Sequence, residues 1–429
     1  MRLSGRLSAA IEVLDDIFAR HNSAAAALHE WGRGHRFAGS GDRSAIGNLV
    51  YDALRQKSTL AAQMGTDSSR ALVLAVAKTG WGLKAEEIAE AVGEKFGPGA
   101  LSDEEKSALQ TPLEGKQHYW VEGNFPQWIG PAFKNCFGDD AAAQGNGLAQ
   151  RAPVDLRVNT LQTSRAELLA EFEKHGAVEG PLSPHCVRIP APHGQNRSPN
   201  VEIEAAHGKG WFEVQDAASQ IVSLLARAKP GDTVIDLCAG AGGKTLALAA
   251  AMNNQGKVYA WDRDKRRLRP IFERIARSGA DIIEVIPADQ PELLEDLTAK
   301  ADVVFLDAPC SGTGSWRRKP DAKWRFRQST LDQRLKDQQE VLENGAKLVK
   351  PGGHLIYVTC SVLPQENTEQ VAAFLSKWKN FSLVPYPDIW KQTIGTEPPV
   401  SADGKNATLL LTPSSHDTDG FFIAIMERN

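Results

Sequence analysis

Residues Thr233–Asp262 read TVIDLCAGAGGKTLALAAAMNNQGKVYAWD, and this stretch decides the fold. A short apolar run, TVIDLC, gives way to glycines, then to a string of helix formers, KTLALAAAM, then to a second apolar run, KVYAWD. The pattern is strand, tight turn, helix, strand, with Gly240, Gly242 and Gly243 supplying backbone freedom at the turn. The alternation continues through DIIEVI, DVVFLD and HLIYVTC, separated by the helical stretches KRRLRPIFERIARSG and LDQRLKDQQEVLENGAKLVK. Apolar strands alternating with helices predict a parallel sheet covered on both faces, an α/β domain over residues 215–429. Ligands of such sheets lie at the carboxyl ends of the strands, and the chemically suggestive residues of this domain fall there.

The glycine turn lacks the G-x-x-x-x-G-K spacing of a phosphate loop and the third glycine of G-x-G-x-x-G. Two acids give it meaning. Asp262 ends the strand after the turn, where a carboxylate holds a ribose diol, and Asp289 follows the third strand, placed to meet an adenine amine. Asp262 alone reads equally well as a helix N-cap before RDKRRL. Glycine turn, ribose acid and adenine acid in succession suit a nucleoside cofactor without phosphates, of which S-adenosylmethionine is one.

Two further strands end in cysteine. DVVFLD runs into Asp307-Ala308-Pro309-Cys310, and HLIYVT into Cys360-Ser361. A parallel sheet brings both thiols to one edge, and nearby cations favour the reactive thiolate. Beside a methyl donor, a thiolate is needed where the target carbon is not itself nucleophilic. Adding to carbon 6 of a pyrimidine, it turns carbon 5 into a nucleophile, with an acid such as Asp307 at the N3/N4 edge and a second group to remove the proton. Methylation of an amino nitrogen needs no such thiol. The segment after Cys310 is crowded with Arg317, Arg318, Lys319, Lys323, Arg325, Arg327, Trp316 and Trp324, which reads as a surface for phosphates and unpaired bases. The target base must be flipped out or already unpaired.

The rest of the 429 residues divides into two further units. Leu3, Leu7, Ile11, Leu14 and Phe18 recur at helical steps, and residues 1–122 read as all-helical. Residues 123–214 read as a small α+β unit: VDLRVNT, HCVRIP and GWFEVQD are strand-like, and Ser164 with Glu167 makes a capping box before RAELLAEFEKHG. The net charge of −4 leaves any nucleic-acid site to a local basic face. Five scattered cysteines without a C-x-x-C pair argue against a disulfide framework or structural zinc and point to the cytoplasm. No apolar run reaches a membrane span, and a monomer is the default expectation.

DLCAGAGGKT, DAPCSGTG with RRKPDAKWR after it, YVTCSVLPQEN, the upstream LRVNT and the terminal DGFFIAIMERN together resemble the RsmB/Sun family of RNA cytosine-C5 methyltransferases. The helical N-terminus, with GDRSAIGNLVYDALR, resembles a NusB-like domain. The resemblance implies a Rossmann-like S-adenosylmethionine methyltransferase domain, a small α+β RNA-binding subdomain and a NusB-like RNA-binding domain. It implies ribosomal RNA (16S) as substrate, with no metal. It assigns Cys360 as nucleophile, which the residues alone leave open, and Cys310 to proton removal and product release. Asp307 would bind the cytosine edge, with Lys244 near cofactor and base. The cofactor would be held by Cys238, Ala239, Gly240, Ala241, Gly242, Gly243, Lys244, Asp262, Arg267, Asp289 and Asp307. RNA would be held by Arg157, Asn159, Arg317, Arg318, Lys319, Trp324 and Arg325. Gly240-Ala241 stands where many members carry Ala-Pro. Three alternatives stay open here: transfer RNA as the substrate, DNA methylation with Cys310 as the nucleophile, and a non-catalytic RNA-binding assembly factor.

Overall fold

In the computed structural model, which describes residues 1–429, the N-terminal region is built from seven helices between Leu3 and Gln110. Ser23, Ser68 and Ser102 cap three of them, each accepting a backbone N–H of the first turn. The first helix, Leu3–Arg20, buries Leu7, Ala10, Val13, Leu14 and Ile17 rather than the full stripe of larger side chains. Ile11 and Phe18 sit at the rim of the helical core. Alanines let a neighbouring helix approach closely, so the buried face turns towards them.

Four short strands form an antiparallel sheet: β1 Val154–Val158, β2 Val178–Glu179, β3 Cys186–Ile189 and β4 Phe212–Val214, in the order β2-β3-β1-β4. The capping box is present, with Ser164 and Glu167 each bonding the other's backbone N–H. Leu156, Val158, Leu168, Phe172 and Phe212 form this unit's own core. The helices before it pack elsewhere. Phe125, Ile129, Phe133 and Phe137 join Leu306, Tyr357 and Phe422 in the core of the larger sheet, so the stretch 123–214 is shared between two cores.

The larger sheet holds β5 Thr233–Asp236, β6 Lys257–Ala260, β7 Ile283–Val285, β8 Ala301–Asp307, β9 Val349–Thr359, β10 Phe381–Val384, β11 Leu409–Leu411 and β12 Phe421–Arg428. Its order is β10-β12-β9-β8-β5-β6-β7, with β11 also on β12. The five predicted strands are parallel. The antiparallel edge made by β12, β10 and β11 was not predicted, because side-chain periodicity carries no strand direction. The predicted helix KRRLRPIFERIARSG is two helices, Lys265–Leu268 and Ile271–Ser278, divided at Pro270, whose ring and missing N–H interrupt the ladder. From β5 the chain winds outward through β6 and β7, then crosses back to β8 on the other side. That reversal opens a crevice above β5 and β8, where ligands of such sheets bind.

Candidate active site

Because β8 and β9 are adjacent and parallel, with Asp307 opposite Val358, the loops leaving them run side by side. They bring Cys310 Sγ to 3.3 Å from Cys360 Sγ, both thiols half-buried. The hydrogen bond to Cys360, and then burial, push the Cys310 thiol well above its ordinary range. Cys310 therefore keeps its proton, and the two thiols share a hydrogen bond in which either sulfur can be the donor. The expectation that basic neighbours would ionise it is corrected: no arginine or lysine of the following segment is among the groups that set its ionisation.

On the other side of β8, the helix Gly243–Ala251 opens with Lys244, whose Nζ donates to Asp307 Oδ2 at 2.7 Å. About 30% of the Asp307 side chain remains open to solvent. Lys244 also lies over the Phe421 ring at the start of β12, 5.2 Å from its centroid. The edge strand is thus tied to the site, and a second tie is a crossing of main chains. Gly314 donates to Cys360 O and accepts from Gly420, and a Cβ on Gly314 would lie 2.0 Å from Gly420 O. Only glycine fits there, and a Cβ on Gly420 would in turn lie 2.5 Å from Gly314 Cα, which accounts for the glycine of the DG that opens DGFFIAIMERN.

Beyond β5 and β6 lies a cavity of about 340 Å³ lined by Leu237, Cys238, Trp261, Asp262, Arg267 and Pro309 among others. Asp262 is buried; its Oδ2 accepts the Gly240 N–H at 2.9 Å and its Oδ1 that of Asp264 at 2.8 Å. Arg267 stands 3.6 Å from the same carboxylate. Gly242 has φ +83°, and a Cβ there would meet Ile271 at 2.4 Å. A Cβ on Gly240 would point at Arg267 and Asp262. The turn, the buried acid and the apolar walls of Trp261, Leu237 and Pro309 fit a nucleoside. Asp289 lies outside these walls, exposed and 3.5 Å from Lys265. Ala239, Ala241 and Gly243 are not among these walls either. Arg274 donates to Ala241 O at 2.9 Å and Arg157 to Gly243 O at 2.5 Å.

Most residues assigned to RNA turn inward, and this is the main correction to the sequence reading. Arg157 is sealed between Gln215 and Gly243, and burial lowers it to about 10. Asn159 donates to the carbonyls of Gly210 and Ser278 at 2.8 Å. Arg317 and Arg318 both bind Asp216 and Asp419. Burial alone would raise Asp216, but Arg318 and Arg317 bring it below the usual carboxylate range. Trp324 donates to Leu54 O at 2.6 Å and Lys323 to Arg55 O at 2.9 Å, at the carboxyl end of the helix Ser40–Arg55. Trp316 is in the large core, 6.2 Å from Phe133. Only Lys319 and Arg325 of the seven remain on the surface, Arg325 paired with Asp321. The acids that claim the arginines lie about a hundred residues away, beyond the reach of local pattern.

Sequence reasoning also passed over Asp236, within a stretch it quoted. Its Oδ2 accepts from Thr245 Oγ1 at 2.7 Å, its Oδ1 has no partner, and burial lifts it to about 7. Glu366, in the quoted YVTCSVLPQEN, is fully buried against the Cys310 loop. No helix is long and apolar enough to cross a membrane, and no three or more His, Cys, Asp or Glu side chains are grouped to hold a metal.

Residues 223–427 match the family described as 16S rRNA methyltransferase RsmB/F, and residues 125–194 match a ferredoxin-like domain of RsmF/B-like methyltransferases. The chain is 33% identical over 337 residues to a Synechocystis protein named "Probable ribosomal RNA small subunit methyltransferase B", covering 76% of this chain and 70% of that one. It is also 33% identical over 328 residues to ribosomal RNA small subunit methyltransferase B of Cronobacter sakazakii, covering 75% and 69%. The crystal structure of PH0851 superimposes with a TM-score of 0.73 at 25% identity, covering 100% of this chain and 99% of that one.

Proposed function

We propose the activity of this protein from one premise: the chain belongs to the RsmB/F family of S-adenosylmethionine-dependent RNA methyltransferases. The reaction is methylation of carbon 5 of a cytosine in small-subunit ribosomal RNA. The observation that carries this reading is the pair of thiols 3.3 Å apart at the end of β8 and β9, beside the Lys244–Asp307 pair. The cofactor, when bound, supplies the electrophilic methyl group. Asp262 and the glycine turn orient its nucleoside, with Arg267 beside them.

Cys360 acts as the nucleophile. It gives up its own proton to solvent and adds, as the thiolate, to carbon 6 of the base, its sulfur 3.3 Å from that of Cys310 in the free protein. Asp307 faces the N3/N4 edge, and Lys244 balances the electron density that moves onto the ring. Once Cys360 is bonded to carbon, the hydrogen bond that retained the Cys310 proton is gone. Cys310 then gives its proton to solvent and, as the thiolate, takes the carbon 5 proton as the Cys360–carbon bond breaks, releasing the methylated base. Lys319 and Arg325 are left to contact the RNA backbone.

The test is transfer of tritium from labelled S-adenosylmethionine, offered in parallel to small-subunit ribosomal RNA, transfer RNA and DNA, with bisulfite mapping of the product. Label in ribosomal RNA at cytosine C5 is expected; label only in transfer RNA or DNA overturns the substrate. Cys310→Ser should leave RNA covalently attached to the protein, and Cys360→Ser should give neither product nor adduct. The reverse pattern would exchange the two roles.

A further inference from the structure

We propose that Glu366 is a positioning residue of this reaction, its buried carboxylate clamping the Cys310 loop onto the Cys360 loop and setting a negative charge beside Cys310. The inference rests on the roles just given to the two cysteines. Glu366 closes the short turn Pro364–Glu366, six residues after Cys360, and is fully buried. Its Oε1 accepts the Ser311 N–H at 2.7 Å and Gln338 Nε2 at 3.0 Å, and its Oε2 accepts the Ser311 hydroxyl. Gln338 also donates to Pro309 O at 2.9 Å. The residues on both sides of Cys310 are thus held by one carboxylate and its glutamine.

The same turn grips the other cysteine. Asn367 donates to Ser361 O at 2.9 Å and accepts the Thr359 hydroxyl at 2.6 Å, so both neighbours of Cys360 are held too. Tyr357 anchors the turn from below by donating to Glu366 O at 2.7 Å. The 3.3 Å between the sulfurs is therefore set by the turn 364–367 rather than by either strand alone.

A buried carboxylate is costly unless its lone pairs are filled, and here they are filled by a serine and a glutamine, not by a cation. Its charge stays uncompensated next to Cys310. After the hydrogen bond to Cys360 and burial, Glu366 is a further cause that keeps the Cys310 proton in place. Tyr357, buried and acted on by both Glu366 and Cys310, lies beside the pair. A purely structural clamp would need the shape of Glu366 but not its charge.

Glu366→Gln separates the two. The amide has the same shape, and a rotated Ser311 hydroxyl can accept from it. In a Cys360→Ser background, alkylation of the Cys310 peptide by iodoacetamide is followed against pH by mass spectrometry. The expected result is a profile displaced by about one unit to lower pH, so that alkylation near neutral pH is about tenfold faster. Glu366→Ala, which also releases the loop, should accumulate covalently attached RNA as Cys310→Ser does, with S-adenosylmethionine affinity by calorimetry unchanged. An unmoved alkylation profile overturns the electrostatic half, and absence of adduct in a folded Glu366→Ala overturns the clamp. Should Glu366→Ala not fold, the Glu366→Gln profile decides alone. Because alkylation needs no RNA, a protein that proved not to methylate RNA would still give a readable profile.

Discussion

Two sets of ion pairs flank the Cys310 loop, and they behave in opposite ways. Lys244 and Asp307 meet once, at 2.7 Å, and Asp307 keeps part of its carboxylate facing the crevice. Arg317 and Arg318, a few residues further on, meet Asp216 and Asp419 in a group of four that is buried except for the outer part of Arg318. The first pair has hydrogen-bonding capacity left for a substrate. The second has its carboxylates committed to two arginines each, and its work is to fasten the loop after Cys310 to the start of the helix Ala217–Leu224 and to the turn before β12. Charge next to a reactive centre is available for chemistry only where a face remains uncommitted.

Mutations can break or sharpen this contrast. The largest effect is expected at the thiols: Cys360→Ser should lower kcat by about 10⁴-fold or more in single-turnover methylation, because the residues of such a unit fail together. Asp307→Asn should cost about 10²–10³-fold in kcat while the melting temperature stays near the parent's, as for loss of one preorganised group at a site. Arg317→Met should do the reverse. It leaves Asp419 and Asp216 to share Arg318 alone in the interior and should lower unfolding stability by about 3 kcal/mol in a denaturant titration, leaving the salt dependence of RNA binding unaltered.

Lys323 gives a pH-dependent test of the same idea. It is fully buried, and desolvation, with Arg55 nearby, lowers it to about 7. The folded protein binds fewer protons here than the unfolded chain between pH 7 and the ordinary lysine value of 10.5. Stability from this group therefore rises with pH across that window and is lost as pH falls towards 7. Lys323→Met should remove this slope, and below pH 7 the variant should be the more stable by about 1 kcal/mol or more. The smallest effect is expected on the surface: Lys319→Ala should reduce the slope of log K against log salt for RNA binding by about one, with no change in melting temperature.

The strand ends were legible because β-strands alternate with helices in a period that any reader can count, and Asp307, Cys310 and Cys360 each end or follow an apolar run. The glycine turn was legible because Gly242, at φ +83°, has no substitute there. The basic segment was misread for a physical reason. Arginine and tryptophan look the same in a sequence whether they face water or a distant carboxylate, and Asp216 and Asp419 lie about a hundred positions away on either side. Leu54 and Arg55, whose carbonyls receive Trp324 and Lys323, are further still. Asp289 was placed by analogy of spacing, and the loop after β7 takes it outside the cavity walls to Lys265. Glu366 was in view but had no local pattern to distinguish it from a surface turn.

By itself, then, the sequence determined the parallel core of the large sheet and the two strand ends that carry thiols, because local periodicity and glycine sterics act over a few residues. The tertiary structure decided the antiparallel edge, the inward turn of Arg317, Arg318 and Trp324, and the raised ionisation of the Cys310 thiol. Those outcomes depend on burial and on partners brought together only by folding, and desolvation has no signature in a linear pattern.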